Sequence, residues 1–157
     1  RLAATMGATS CLNPQETDVY ETVLELTDGR GADIVINATN SPHAFEFAMR
    51  LARDQGRVVV LSWHTHPITI NDITQDFYNK ELEIIATRAG GPSPSAKSAY
   101  VRWTGDESQK YIEKMAVSGR FAPADLITHR YPLESVDEAL RTVEDKPDEV
   151  VKAVLEW

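Results

Sequence analysis

Two short runs, Ile34-Val35-Ile36 and Val58-Val59-Val60-Leu61, are apolar at every position. A strand with one face in water alternates apolar and polar residues, whereas an unbroken apolar run suits a strand buried on both faces, as in a parallel sheet covered by helices. Helical periodicities lie between these runs. Val19, Val23 and Leu24, with Leu26 beside them, mark an amphipathic helix within Glu16 to Thr27. Ser41 and Pro42 read as the N-cap and first residue of a second helix, with Ala44, Phe45, Ala48 and Leu51 on its inner side. A short helix from about Asp72 to Tyr78 leads into a strand at Leu82 to Ala86. Alternating strands and helices with apolar central strands predict an α/β fold, a doubly wound parallel sheet.

The flanking segments are read in the same way. Leu2 to Met6 is the tail of a helix stopped by Gly7, and Thr9 to Leu12 is a short strand ended by Asn13-Pro14. Asp28-Gly29-Arg30-Gly31 is a turn; no strand precedes it and no third glycine opens a helix, as a dinucleotide fingerprint requires. Composition changes at Gly90-Gly91-Pro92-Ser93-Pro94-Ser95, which divides the chain into residues 1–90 and 91–157. Beyond it, Asp106 to Ser118 is a helix expected to bury Tyr111, Ile112 and Met115, with Gly119 as its stop. Ser135 and Glu138 form a capping-box pattern before a helix carrying Val136, Ala139, Leu140 and Val143. Val150 to Leu155 is a closing strand.

Acidic residues outnumber basic ones by 24 to 16, a formal net charge of -8. That field repels a nucleic-acid backbone, although a small anionic cofactor held by one loop remains compatible with it. The single cysteine, Cys11, rules out an intrachain disulfide and a multi-cysteine zinc site, and favours a cytoplasmic setting. No apolar run approaches the ~20 residues of a membrane span. The chain opens on Arg1-Leu2-Ala3-Ala4, inside a helical pattern without a cap, so further sequence is expected upstream.

In open parallel sheets ligands bind beyond the carboxyl ends of the strands. Three segments meet that rule: Ala38-Thr39-Asn40, Leu61-Ser62-Trp63-His64, and Thr87-Arg88-Ala89-Gly90-Gly91. All three also read as ordinary strand-to-helix loops. His64 and His66 flank Thr65 but lack further metal ligands nearby in sequence, so a metal-free histidine pair is the expectation. Ser62 beside His64 is not read as a nucleophile and base, because no Gly-x-Ser-x-Gly elbow surrounds it. Arg88, Lys97 and Arg102 are isolated cations that suit solvent as well as a phosphate.

Taken together, Leu26-Thr27-Asp28-Gly29-Arg30-Gly31-Ala32-Asp33-Ile34-Val35, Gly56-Arg57-Val58-Val59-Val60, Ser118-Gly119-Arg120-Phe121, Leu126-Ile127-Thr128-His129-Arg130-Tyr131-Pro132-Leu133 and Val151-Lys152-Ala153-Val154-Leu155 resemble, in order and spacing, the medium-chain dehydrogenases of the zinc-type alcohol, polyol and threonine dehydrogenase group. The resemblance implies the C-terminal part of a coenzyme-binding Rossmann domain that takes NAD or NADP. It implies hydride transfer between a secondary alcohol or polyol and nicotinamide in the full-length protein, with the isolated chain inactive and no catalytic residue or metal ligand of its own. By position, Ala38, Thr39 and Asn40 would lie near the adenosine half and the bridge to the nicotinamide ribose. Leu61, Ser62 and Trp63 would flank the nicotinamide ribose and ring. Thr87, Arg88 and Ala89 would offer backbone groups to the carboxamide, and Lys152 a charge to the phosphates. Ser62 departs from a glycine common in the family, and Trp63-His64 is an unusual pair there.

The same resemblance numbers Thr9 to Leu12 as the third Rossmann strand and Asp33 to Ala38 as the fourth, in the order 3-2-1-4-5-6. The sheet is then incomplete, lacking the first two strands, and the GroES-like catalytic domain with its zinc is absent. Either the chain is a fragment of a longer polypeptide, or Thr9 to Leu12 pairs elsewhere. A homodimer or homotetramer is implied through the edge strand Leu82 to Ala86. The alternatives are a non-catalytic nucleotide-binding or oligomerisation module, and a zinc-independent reductase of the same superfamily.

Overall fold

The computed structural model describes residues 2–87 and 104–157. The chain divides into two compact units, residues 3–102 and 103–157.

The first unit is built on a three-stranded parallel sheet of β1 (Ala32–Asn37), β2 (Ala52–Val60) and β3 (Glu83–Ala86), in that spatial order. Helix α1 (Leu2–Thr5) ends at Gly7, whose φ of +98° only glycine adopts at no steric cost. Helix α2 (Val19–Leu26) starts where the Asp18 carboxylate accepts the Glu21 N–H, and α3 (Pro42–Leu51) starts at Ser41-Pro42. The ring of Pro42 fixes φ in the helical range and has no N–H to leave unpaired; Ser41 makes no side-chain capping bond. A single wide helical turn, Thr74–Tyr78, precedes β3. The turn before β1 has Gly31 at φ +86°, where a Cβ would stand 3.0 Å from the Arg53 nitrogen and the Leu51 carbonyl.

The core lies between α3 and one face of this sheet. Met49 and Val58 are fully buried; Ala48, Ala52 and Leu82 join them, with Val35, Phe45, Ile70 and Phe77 packed around. Met49, the next residue after Ala48, lies outside the apolar set that the sequence marks on α3, yet it is fully buried. Val35 meets this core, while Ile34 and Ile36 on the alternate face are 55% and 63% exposed. The expectation of burial on both faces therefore fails for β1: among the described residues only the α3 side is covered.

Register is held by strand pairing, with Val35 opposite Val58 and Val58 opposite Ile84. It levels Asn37, Val60 and Ala86 at the carboxyl end. At the amino end Lys80 Nζ donates to the carbonyls of Met49, Arg50 and Ala52 at 3.2, 2.8 and 2.8 Å, satisfying the last turn of α3. Burial pulls the Lys80 ammonium below the ordinary lysine value, against Asp76 and Asp54, which raise it.

Thr9 to Leu12, expected as a strand, is irregular and mostly exposed. A strand exists only through its ladder, and no strand among the described residues runs beside this segment.

The second unit contains α4 (Gly105–Val117), β4 (His129–Pro132), α5 (Val136–Asp145) and β5 (Ala153–Glu156), with β4 and β5 paired in parallel. The closing strand thus begins three residues later than Val150. Two other expectations, the burial of α4's apolar residues and the capping box at Ser135, are corrected here. Tyr111 and Ile112 are half exposed instead of buried, and α5 buries Ala139 of the apolar residues it carries. A unit of this size encloses little volume, so its helices keep much apolar surface in water. Ser135 makes no capping bond. The box forms instead at α4, where Thr104 Oγ1 accepts the Glu107 N–H and the Glu107 carboxylate accepts the Thr104 N–H at 2.8 Å.

Two outcomes follow from this packing. Met49→Ala should destabilise the fold by about 2–4 kcal/mol, because α3 cannot collapse onto a paired sheet to close the void; urea unfolding of both forms measures it. The Thr104 hydrogen bonds hold the Glu107 carboxyl below the ordinary glutamate range of about 4.3. The capping contribution is therefore complete above that value and is lost as pH falls through the lower folded value. A carboxyl NMR titration should place the Glu107 midpoint below that of a random-coil glutamate, and Thr104→Ala should raise it only part of the way, because the backbone N–H of residue 104 still donates to the carboxylate.

Candidate functional site at the carboxyl end of the sheet

Asn37, the last residue of β1, is the one buried polar side chain in the described residues, at 4% exposure. An amide withdrawn from water costs several kcal/mol unless its hydrogen bonds are replaced. They are replaced here. Its Oδ1 accepts the Thr39 N–H and the Thr39 hydroxyl, each at 3.0 Å, folding the chain back over the end of the strand. Its Nδ2 faces His64 Nε2 at 3.5 Å, and its carbonyl accepts the Leu61 N–H at 2.9 Å. The loops after β1 and β2 are thereby joined through one side chain.

Further out, the same loops are joined again. Asn40 Oδ1 accepts the Thr65 N–H at 3.3 Å, and Asn40 Nδ2 donates to Thr65 Oγ1 at 3.4 Å. Thr39 Oγ1 accepts the Ser41 N–H at 3.3 Å, and the His64 ring meets Phe45 of α3 edge to face at 6.1 Å. Ser62 Oγ lies 3.1 Å from His64 Nε2 and 3.4 Å from the Asn37 carbonyl. His64 Nδ1 is buried without a hydrogen-bond partner.

The structure therefore brings Ala38, Thr39, Asn40, Leu61, Ser62 and Trp63 together at adjacent strand ends. Ala38, Thr39, Asn40 and Leu61 are exposed, Ser62 is half-buried, and Trp63 is 82% exposed. Thr87 follows β3 and spends its N–H on the Val60 carbonyl at 2.9 Å. Arg88, Ala89, Gly90, Gly91, Lys97 and Arg102 lie outside the described residues. Lys152 belongs to the second unit, where its carbonyl accepts from the backbone N–H groups of Thr128 and His129.

Ser62 and His64 do meet, yet they do not complete a nucleophilic triad. The second imidazole nitrogen, the buried Nδ1, would need a carboxylate or other acceptor to orient it, and it has no partner. No group of three or more His, Cys, Asp or Glu side chains among the described residues is placed to hold a metal. Asn37 escaped the sequence reading. Its signal was a single amide directly after Ile34-Val35-Ile36, at a position where the strand pattern calls for an apolar residue.

A depression of about 490 Å³ lies at the opposite, amino end of the sheet, lined among others by Tyr20, Arg50, Arg53 and Lys80. Its cations are already engaged. Arg53 Nε binds Asp33 at 2.5 Å, Arg50 stacks over the Tyr20 ring at 5.4 Å, and Lys80 serves the end of α3.

Residues 1–104 match the family model described as zinc-binding dehydrogenase, and the chain belongs to that family, the zinc-type medium-chain dehydrogenases. The L-threonine 3-dehydrogenase of Bacillus licheniformis is 30% identical over 137 residues, a match covering 87% of this chain and 36% of that protein. The NADP-dependent isopropanol dehydrogenase of Entamoeba histolytica is 28% identical, over 98% of this chain and 39% of its own length. The fold matches a crystal structure from E. coli CFT073, described as a short chain alcohol dehydrogenase complexed with NADH. It has a TM-score of 0.75 at 23% identity, over 99% of this chain and 41% of that one. This chain thus spans little more than a third of the length of the curated relatives it matches, and its sheet is the corresponding part of a Rossmann-like fold. No helix among the described residues is long and apolar enough to cross a membrane.

Asn37→Ala should cost about 1–3 kcal/mol of stability, because the Thr39 N–H loses its acceptor and the two loops lose their bridge. Chemical denaturation measures the loss, and hydrogen exchange at the Thr39 and Thr65 amides should accelerate with it.

Proposed function

We propose that these residues form part of the coenzyme site of an NAD- or NADP-dependent dehydrogenase that moves hydride between a secondary alcohol or polyol and nicotinamide. The observation that carries this reading is the single hydrogen-bonded surface made by the ends of β1 and β2, through Asn37 and the Asn40–Thr65 pair. It stands where parallel sheets receive ligands, and family membership supports it. In this reading Ala38, Thr39 and Asn40 line the passage from adenosine to the nicotinamide ribose, and Leu61, Ser62 and Trp63 flank that ribose and the ring. Thr87 offers the carboxamide its carbonyl, since its N–H is already given to Val60. The family resemblance would give Arg88 and Ala89, which lie outside the described residues, the same role as Thr87, and Lys152 a charge for the phosphates. The coenzyme supplies the hydride chemistry; these residues bind and orient it.

Zinc would polarise the alcohol oxygen in such an enzyme, but the described residues offer no donor set for it, and no step here runs through a metal. Cytoplasmic residence and a homodimer or homotetramer complete the reading. The outer edge of β3 has no partner strand among the described residues and presents Ile84 at 38% exposure.

Titration with NADH while following Trp63 emission tests the proposal, with Trp63→Phe separating this indole from Trp103 and Trp157. A saturable change in the micromolar range that Trp63→Phe abolishes is expected. A linear response up to millimolar NADH and NADPH would reject a coenzyme site here.

A further inference from the structure

The cluster of Asn37, Ser62 and His64 has a defined hydrogen-bond polarity. A backbone N–H can only donate, so the Asn37 amide oxygen must face Thr39 and its NH2 must face His64. An imidazole nitrogen facing that NH2 at 3.5 Å is placed to accept, which assigns the ring hydrogen to Nδ1. The one lone pair of that bare Nε2 is shared by two donors, of which the Ser62 hydroxyl at 3.1 Å is the nearer; the other acceptor for its proton, the Asn37 carbonyl at 3.4 Å, also draws it inward. The buried Nδ1 without a partner is the cost of this arrangement, and the Phe45 ring against the imidazole keeps it in place.

A hydroxyl has one proton and two lone pairs. With the proton drawn inward, Ser62 can meet a ligand only as an acceptor. We propose that His64 and Asn37 fix Ser62 as a hydrogen-bond acceptor for a donor group, a hydroxyl or an amide N–H, on the nicotinamide riboside half of the coenzyme. The proposal rests on the coenzyme reading above and adds to it a specificity-determining residue and a positioning residue behind it.

The test uses the natural polypeptide that carries these residues. Long-range 1H–15N spectra should show His64 in the Nδ1–H form, and an Nε2–H ring would overturn the proposal whatever the coenzyme does. Ser62→Ala should weaken NADH binding about 3- to 10-fold, the worth of one neutral hydrogen bond, and Ser62→Thr should restore most of it. Binding of 3-acetylpyridine adenine dinucleotide, which lacks the carboxamide N–H, identifies the donor. A Ser62→Ala penalty that disappears with this analogue assigns the carboxamide, and an unchanged penalty assigns a ribose hydroxyl. If wild type binds NADH and Ser62→Ala binds equally well, the Ser62 proposal fails while the coenzyme reading stands. If wild type binds neither NADH nor NADPH, the coenzyme reading itself fails.

Discussion

The burial of Met49 and Val58 in one core is the constraint on which the rest of the first unit depends. Both side chains are fully buried, one from α3 and the other from the middle of the central strand. Burying a side chain of that size is worth about 1.5–3 kcal/mol, yet its consequence is also geometric. Val58 pairs with Val35 on one side and Ile84 on the other. Slipping either ladder by one residue would turn its apolar set away from α3, so the core that stabilises the sheet also fixes where each strand stops. The level ends of β1 and β2, and hence the approach of residues 38–40 to residues 61–65, follow from that register.

Charge is distributed unevenly along the sheet. At its amino end stand Arg30, Asp33, Arg50, Arg53 and Lys80, paired with one another, with an aromatic ring or with backbone carbonyls. These exposed ion pairs add little stability individually. Their larger effect is that Arg53 and Lys80 already spend donors on partners within the first unit. The Arg53 hydrogen bond holds the Asp33 carboxyl below the usual range, which marks the pair as formed without assigning it a large energy.

What the sequence revealed, and what it hid, divides along the range of the interactions involved. Val58-Val59-Val60 and Ile34-Val35-Ile36 announce strands because apolar runs and β-branching act locally. Gly7, Gly119 and Pro42 announce helix ends because backbone sterics act on single residues. Thr9 to Leu12 misled because a strand needs a neighbour, and nothing in four residues says whether one exists. The two capping-box patterns are equally good as strings, Thr104-Gly105-Asp106-Glu107 and Ser135-Val136-Asp137-Glu138. They differ in backbone entry. Thr104 is extended, with φ -80° and ψ 165°, whereas Ser135 arrives inside a tight turn, with φ -94° and ψ 23°, so its hydroxyl cannot reach back to the third helical N–H. The strand-end residues were found from a rule about parallel sheets, but Asn37 and the Ser62–His64 contact required the register that sets one strand end beside the next.

The chemistry of the joined loops limits what they can recognise. Residues 38–41 are Ala, Thr, Asn and Ser, and residues 61–66 are Leu, Ser, Trp, His, Thr and His; neither stretch holds a lysine, arginine, aspartate or glutamate. A bare phosphate there would meet hydroxyls, amides and an indole but no fixed cation, in a chain whose net charge is -8. A riboside carrying a planar amide-substituted ring makes the opposite demand. It needs acceptors and donors of known sense and an apolar face beside them. On the coenzyme reading proposed above, Asn37, Ser62 and His64 meet the first demand, and Leu61 and Trp63 the second. On that reading the surface suits the uncharged, hydrogen-bonding portion of a dinucleotide better than its phosphates.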